Sequence, residues 1–239
     1  MAAMDINTII DTAPFEQSSM KALETHVAAQ KSGSAAYNFK ANKSLLKSYQ
    51  CNGGDSHDAA VVADVLVLGL MQLPSTDFFE LSYLVPTRLL PQSKGEQTDA
   101  IKAGVATVGV VLKGAALLEQ AKNTEFWAFL SETAEAKQIF CGVTGFEAAV
   151  RGYILANIAE SFRNIKKDLL LSLLGFTNAE AAADTFLAQA AAVDQAATAA
   201  APGVVTFVVK VAADSNKKSE LDLKVNDMLK LVEHIRAGN

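Results

Sequence analysis

TGFEAAVRGYILANIAESFRNIKKDLLLSLLGFTNAE, residues 144–180, followed by VVTFVVKVAADSNKKSELDLKV, residues 204–225, is the stretch that decides the fold. Thr144 with Glu147 three residues on predicts a capping box opening a helix to about Phe162, with Phe146, Val150, Tyr153, Ile154 and Ile158 inward. A short helix over 166–174 should stop at Gly175, and Thr177 with Glu180 repeats the capping signature for a third helix. Val205, Phe207, Val209 and Val211 then share one strand face, and Leu221, Leu223 and Val225 alternate with Asp222 and Lys224. Paired across the polar tip ADSNKKSE, they would make a wing, so the order is that of a winged helix. Asn226 or Asp227 starts a closing helix through Leu229, Val232 and Ile235, and residues 190–201 read as either a helix extension or a flexible loop.

The presumptive recognition helix carries no positive charge. From 177 to 202 there is no Lys or Arg, only Glu180, Asp184 and Asp194 among alanines. Reading nucleic acid needs cations to neutralise phosphate and reach base edges. Direct RNA contact is therefore not expected, and the module reads as protein-binding. The exposed strand edge is the expected recognition device, with Thr206, Val208 and Lys210 and the wing-tip Lys217 and Lys218 as the candidate partner interface. On that view Thr206→Pro should weaken partner binding more than it lowers stability.

Upstream the chain is helical throughout. Pro14 begins a helix that stops near Gly33, a second spans about 37–50, and Asp58 caps a third, apolar nearly all round and so central. Pro74 breaks it, a short fourth helix covers 77–85, and residues 91–99 form a loop. Ile101, Val105, Val108, Leu112, Ala115 and Leu118 mark a long amphipathic helix. Asn123 or Thr124 caps a helix with Phe126, Trp127, Phe129 and Leu130, and 138–143 is the junction. The fold class is mainly α: an irregular HEAT-like helical-repeat solenoid over 1–140, then a winged-helix domain over 141–239.

Bulk properties exclude several functions. The 239 residues are half hydrophobic, with a formal net charge of −5 and a pI near 5.3, which gives no global attraction to phosphate or anionic lipid. Cys51 and Cys141, far apart, suit free thiols in a reducing, cytoplasmic compartment. The apolar run 59–73 contains Asp64 and is too short to span a bilayer, so no membrane segment is expected. GDSHD at 54–58 resembles the opening of GDSL esterases, but consecutive Ser56, His57 and Asp58 cannot fold into a nucleophile, base and orienter. Gly104, Gly109 and Gly114 lack the Lys and Ser/Thr of a phosphate loop and suit close helix packing. His26, His57 and His234 have no metal-ligand spacing. No catalytic residue, cofactor, metal or small-molecule substrate is expected; Arg163, Lys166 and Lys167 form a short basic cluster on a solvated face.

Four segments narrow the reading: LETHVAAQKSGSAAYNFKANKSLLKSYQ (23–50), LPSTDF (73–78), LLEQAKNTEFWAFL (117–130) and VTGFEAAVRGYI (143–154). In this order they resemble the subunit k family of eukaryotic translation initiation factor three, within the PCI-domain scaffold subunits also found in the COP9 signalosome and the proteasome lid. The resemblance implies a non-enzymatic scaffold bound chiefly to subunit l, in a factor that docks on the small ribosomal subunit. A signalosome or lid subunit, or a direct RNA-binding winged helix, is the alternative.

Overall fold

Helix α4 (Ala59–Leu70) is the most completely buried of the described helices. The structure, a computed structural model, describes residues 6–12, 16–51, 58–90, 98–176, 197–201 and 204–207. The Asp58 carboxylate accepts the amide of Ala60 at 2.9 Å, supplying the cap that opens α4. From Val62 to Leu70 every residue but Asp64 is buried. Asp64 escapes an unpaired burial because Lys31 Nζ lies 2.9 Å away. Burial still holds its carboxyl above the usual range, with the lysine acting in the opposite direction.

The other described helices are α1 (Ile6–Thr12), α2 (Gln17–Lys31), α3 (Phe39–Cys51), α5 (Asp77–Tyr83), a 3-10 turn (Thr87–Leu89), α6 (Asp99–Glu119), α7 (Asn123–Glu132), α8 (Ala134–Cys141), α9 (Phe146–Ser161) and α10 (Lys167–Leu173), of which α2, α3, α5, α6 and α8 pack directly on α4. Gly33, at φ +76°, ends the α2 turn as its residue type predicts. Helices α2 and α3 are locked by two amides: Gln30 Nε2 donates to Asn42 Oδ1 at 2.9 Å, and Asn42 Nδ2 returns a bond to Gln30 Oε1 at 3.2 Å. Helix α6 buries Gly104, Val108, Val111, Gly114, Ala115 and Leu118. A Cβ on Gly104 would sit 2.8 Å from Ala59 Cβ, and one on Gly114 would sit 2.6 Å from Phe140 Cζ. Two of the three spaced glycines therefore do permit close packing, whereas Gly109 faces open space.

Several expectations need correction. The junction predicted at 138–143 is largely helix: α8 runs to Cys141, anchored by buried Ala136 and Phe140. Two buried residues on one short helix are too few to give a periodic signal. The capping box at Thr144 does not form. The Thr144 amide donates to Lys31 O at 3.0 Å, and Gly145, at φ +83°, takes the N-cap with no side-chain bond. Helix α1 is a short helix absent from the sequence expectations, although Ile6, Ile9 and Ile10 stand at helical spacing.

The sheet differs most. Three antiparallel strands, β1 (Asn164–Lys166), β2 (Ala197–Ala201) and β3 (Val204–Phe207), lie in the order β1-β3-β2. Val205 opposes Ile165 on one side and Ala199 on the other. Strand β3 is thus central, and over 204–207 both its sides are paired, to β1 and to β2. Residues 197–201 are neither helix nor loop but strand, despite an alanine composition with little β preference. The pairing of Ala201 with Val204 leaves only Pro202 and Gly203 between the strands, and that dipeptide is the legible turn signal. The predicted third helix at 177, the closing helix, and the strand at 221–225 lie outside the described residues.

Candidate interaction surfaces

The segments FWAFL (126–130) and TGFEAAVR (144–151), on different helices, meet in one side-chain knot. The Trp127 indole N–H on α7 donates to Leu173 O at 3.0 Å, where α10 ends. From α9, Arg151 Nε donates to Leu174 O at 3.1 Å. Its guanidinium lies 5.0 Å from the Trp127 ring centroid and 4.5 Å from that of Phe176. A terminal nitrogen of Arg151 reaches Glu147 at 3.0 Å, one turn earlier on α9. Gly175, at φ +74°, passes so close that a Cβ there would lie 2.5 Å from the indole. Beneath, the rings of Phe126, Phe140 and Phe146 pack together, all fully buried. The predicted core role of Phe126 holds, and Trp127 and Phe129 are partly buried against the same core.

Beside this knot runs a cleft of about 490 Å³ lined by Trp127, Leu130, Lys137, Cys141, Glu147 and Arg151 among others. Cys141, Glu147 and Arg151 are spent on one another. The Cys141 thiol donates to Glu147 at 3.6 Å, and burial first, then the Glu147 charge, push it above its ordinary range. A thiol held protonated is a poor nucleophile. Both cysteines are free and exposed.

Of the five residues singled out as a partner interface, only Thr206 is described. It sits in central β3 opposite Asn164 and Thr198, so its strand offers no open edge. Among the described residues the sheet's outer strands are β1 and β2. Val208, Lys210, Lys217 and Lys218 lie outside the described residues. In the basic cluster Arg163 and Lys166 are exposed and Lys167 half-buried. Residues 52–57, with Ser56 and His57, and His234 also lie outside; of GDSHD the structure describes Asp58, which caps α4. His26 is described: its Nε2 is buried without a hydrogen-bond partner, and desolvation lowers its pKa from 6.5. Among the described residues no group of three or more His, Cys, Asp or Glu could hold a metal ion.

Interlocking helices and a small antiparallel sheet define a helix-rich protein over the described residues. The profile of the CSN8/PSMD8/EIF3K family matches residues 56–204, more than half of the chain, and the chain belongs to that family. Among curated relatives, eukaryotic translation initiation factor 3 subunit K of Nematostella vectensis is 32% identical over 161 residues, 67% of this chain and 66% of the relative. The proteins of the same name from Drosophila willistoni and Neurospora crassa are 32% identical over 157 residues and 33% over 144, covering 62% and 57% of their own lengths. The matched region thus spans less than two thirds of each relative.

Proposed function

We propose that this chain is a non-catalytic scaffold subunit of eukaryotic translation initiation factor 3, acting in the cytoplasm. It binds neighbouring PCI subunits, chiefly subunit l, and supports initiation on the small ribosomal subunit through the assembled factor. The observation that carries this is the matching identity to proteins named subunit K from an anemone, a fly and a fungus.

The architecture supports it. Helix α9, strand β1, helix α10 and then β2 and β3, with sheet order β1-β3-β2, is compatible with a winged helix over 141–239 following a helical-repeat domain over 1–140. One hydrophobic core runs from Leu23 to Val205, as a rigid scaffold requires. The candidate contact surface comprises Thr206 in the sheet and, C-terminal to it, Val208, Lys210, Lys217 and Lys218.

Affinity purification of the tagged full chain at low salt, with mass spectrometry of the proteins recovered alongside it, tests the reading. Initiation-factor subunits and small-subunit ribosomal proteins are the expected outcome. The family profile also spans CSN8 and PSMD8, which supports a second reading; signalosome or proteasome-lid subunits would keep the fold and replace the function. RNA bound by the isolated chain with a steep salt dependence would instead favour direct recognition through Arg163, Lys166, Lys167, Lys217 and Lys218.

A further inference from the structure

We propose that the solvent face shared by α3 and α5 is a docking surface for a short acidic segment of a partner protein. Helix α3 carries Lys40, Lys43 and Lys47 and no acidic residue, in a chain with 26 acidic and 21 basic residues. Its inner side is taken by Ala41, Asn42, Leu45, Leu46, Ser48 and Tyr49. The helical period therefore throws all three lysines outward. Lys40 and Lys47 are exposed, seven residues and about 10 Å apart along one face.

Helix α5 lies alongside. The Tyr37 hydroxyl donates to Asp77 at 3.0 Å, and Lys43 Nζ bonds Glu80 at 2.7 Å. Later residues before and along α3 meet later residues of α5, so the two run side by side in the same direction. One turn further along each stand Lys47 and Tyr83. Tyr83 is 84% exposed and Phe79, one turn back, 42% exposed; no large hydrophobic among the described residues is more exposed than Tyr83.

Lys43 is already committed, to Glu80 and to the Phe39 ring 5.1 Å away. Lys40 and Lys47 make no ion pair among the described residues. The face thus offers two unspent cations two turns apart beside two uncovered aromatics. Its complement is a segment with carboxylates at matching spacing and an apolar side chain for Phe79 and Tyr83. A nucleic acid suits it less well, because the Glu80 carboxylate stands within the lysine stripe and opposes a continuous phosphate chain, and the chain as a whole is net negative. This face is built from elements other than the β1-β3-β2 sheet, so it adds a second contact to the proposed scaffold.

The test places the photo-cross-linking residue p-benzoylphenylalanine at Tyr83 of the full chain, irradiates the assembly recovered with it, and sequences the cross-linked product. The expected product is a protein segment with more Asp and Glu than Lys and Arg. The double variant Lys40→Glu/Lys47→Glu should lower its yield roughly tenfold, as two exposed ion pairs allow, with thermal stability unchanged. A cross-link to RNA or to a segment without net negative charge overturns the proposal. So does a yield no higher than that from the same residue at exposed Glu132, or one indifferent to the charge reversal. Initiation-factor subunits recovered without a specific Tyr83 product would sink this surface alone; an acidic product from an unrelated assembly would keep the surface and sink the proposed function.

Discussion

Gly175 shows how one residue type can hold two segments together. Its positive φ and the 2.5 Å approach to Trp127 leave no room for a methyl group. Gly175→Ala should cost about 2–4 kcal/mol, combining backbone strain with overpacking. Trp127 is the only tryptophan, so its fluorescence reports the knot directly; an unchanged emission maximum and melting temperature would mean that the ring simply swings aside. His26 makes a pH prediction. Its folded pKa lies below the unfolded value of 6.5, so the unfolded chain binds the proton more readily. The neutral ring's contribution is complete above about pH 6.5 and declines as pH falls toward the folded pKa. His26→Leu should therefore flatten the fall in melting temperature between about pH 7.5 and 5.5; equal slopes in the two proteins would refute this.

Among the elements, the α2–α3 pair is set by buried polarity as well as by apolar contact. Gln30 and Asn42 are 4% and 0% exposed, and each satisfies the other. Asn42→Ala strands the buried Gln30 Nε2 donor, while Gln30 Oε1 keeps the Asn38 amide at 3.0 Å, and should cost about 1–3 kcal/mol. Replacing both by leucine should recover part of that loss, and a denaturant series on the three variants measures the coupling; simple additivity would show the pair to be incidental. Strand β3 carries the opposite lesson. Because it is central, Thr206→Pro removes a donor from the middle of the sheet, and partner binding and thermal stability should fall together. Loss of binding with an intact melting temperature would restore the edge reading that the sequence suggests.

At the scale of the molecule, the helices are the legible part. Asp58, Gly33, Gly175 and the apolar pattern of α4 each act within a turn or two of themselves, and each stands where the sequence places it. The buried stripe of α6 is legible with its phase slightly off, because Gly104 and Gly114 are buried for their lack of a side chain and add nothing to a hydrophobic period. The Trp127–Arg151 stack is not legible, although both of its segments stand out in the sequence, since no local rule says that a helix at 127 faces one at 151. The lysine stripe of α3 can be read from its spacing, but its meeting with Glu80 at Lys43 depends on α5 lying alongside.

By itself, then, the amino-acid order determined the helical class, most helix limits, the central place of α4 and the likeness to the family the chain belongs to. Only the tertiary structure decided the strand pairing, the knot between α7, α9 and α10, and which lysines remain unspent. Helices satisfy their backbone bonds within a few residues, so their signals are local. A strand such as Ala197–Ala201 exists only because β3 offers it a hydrogen-bonding edge, and that edge is brought to it by the packing of everything else.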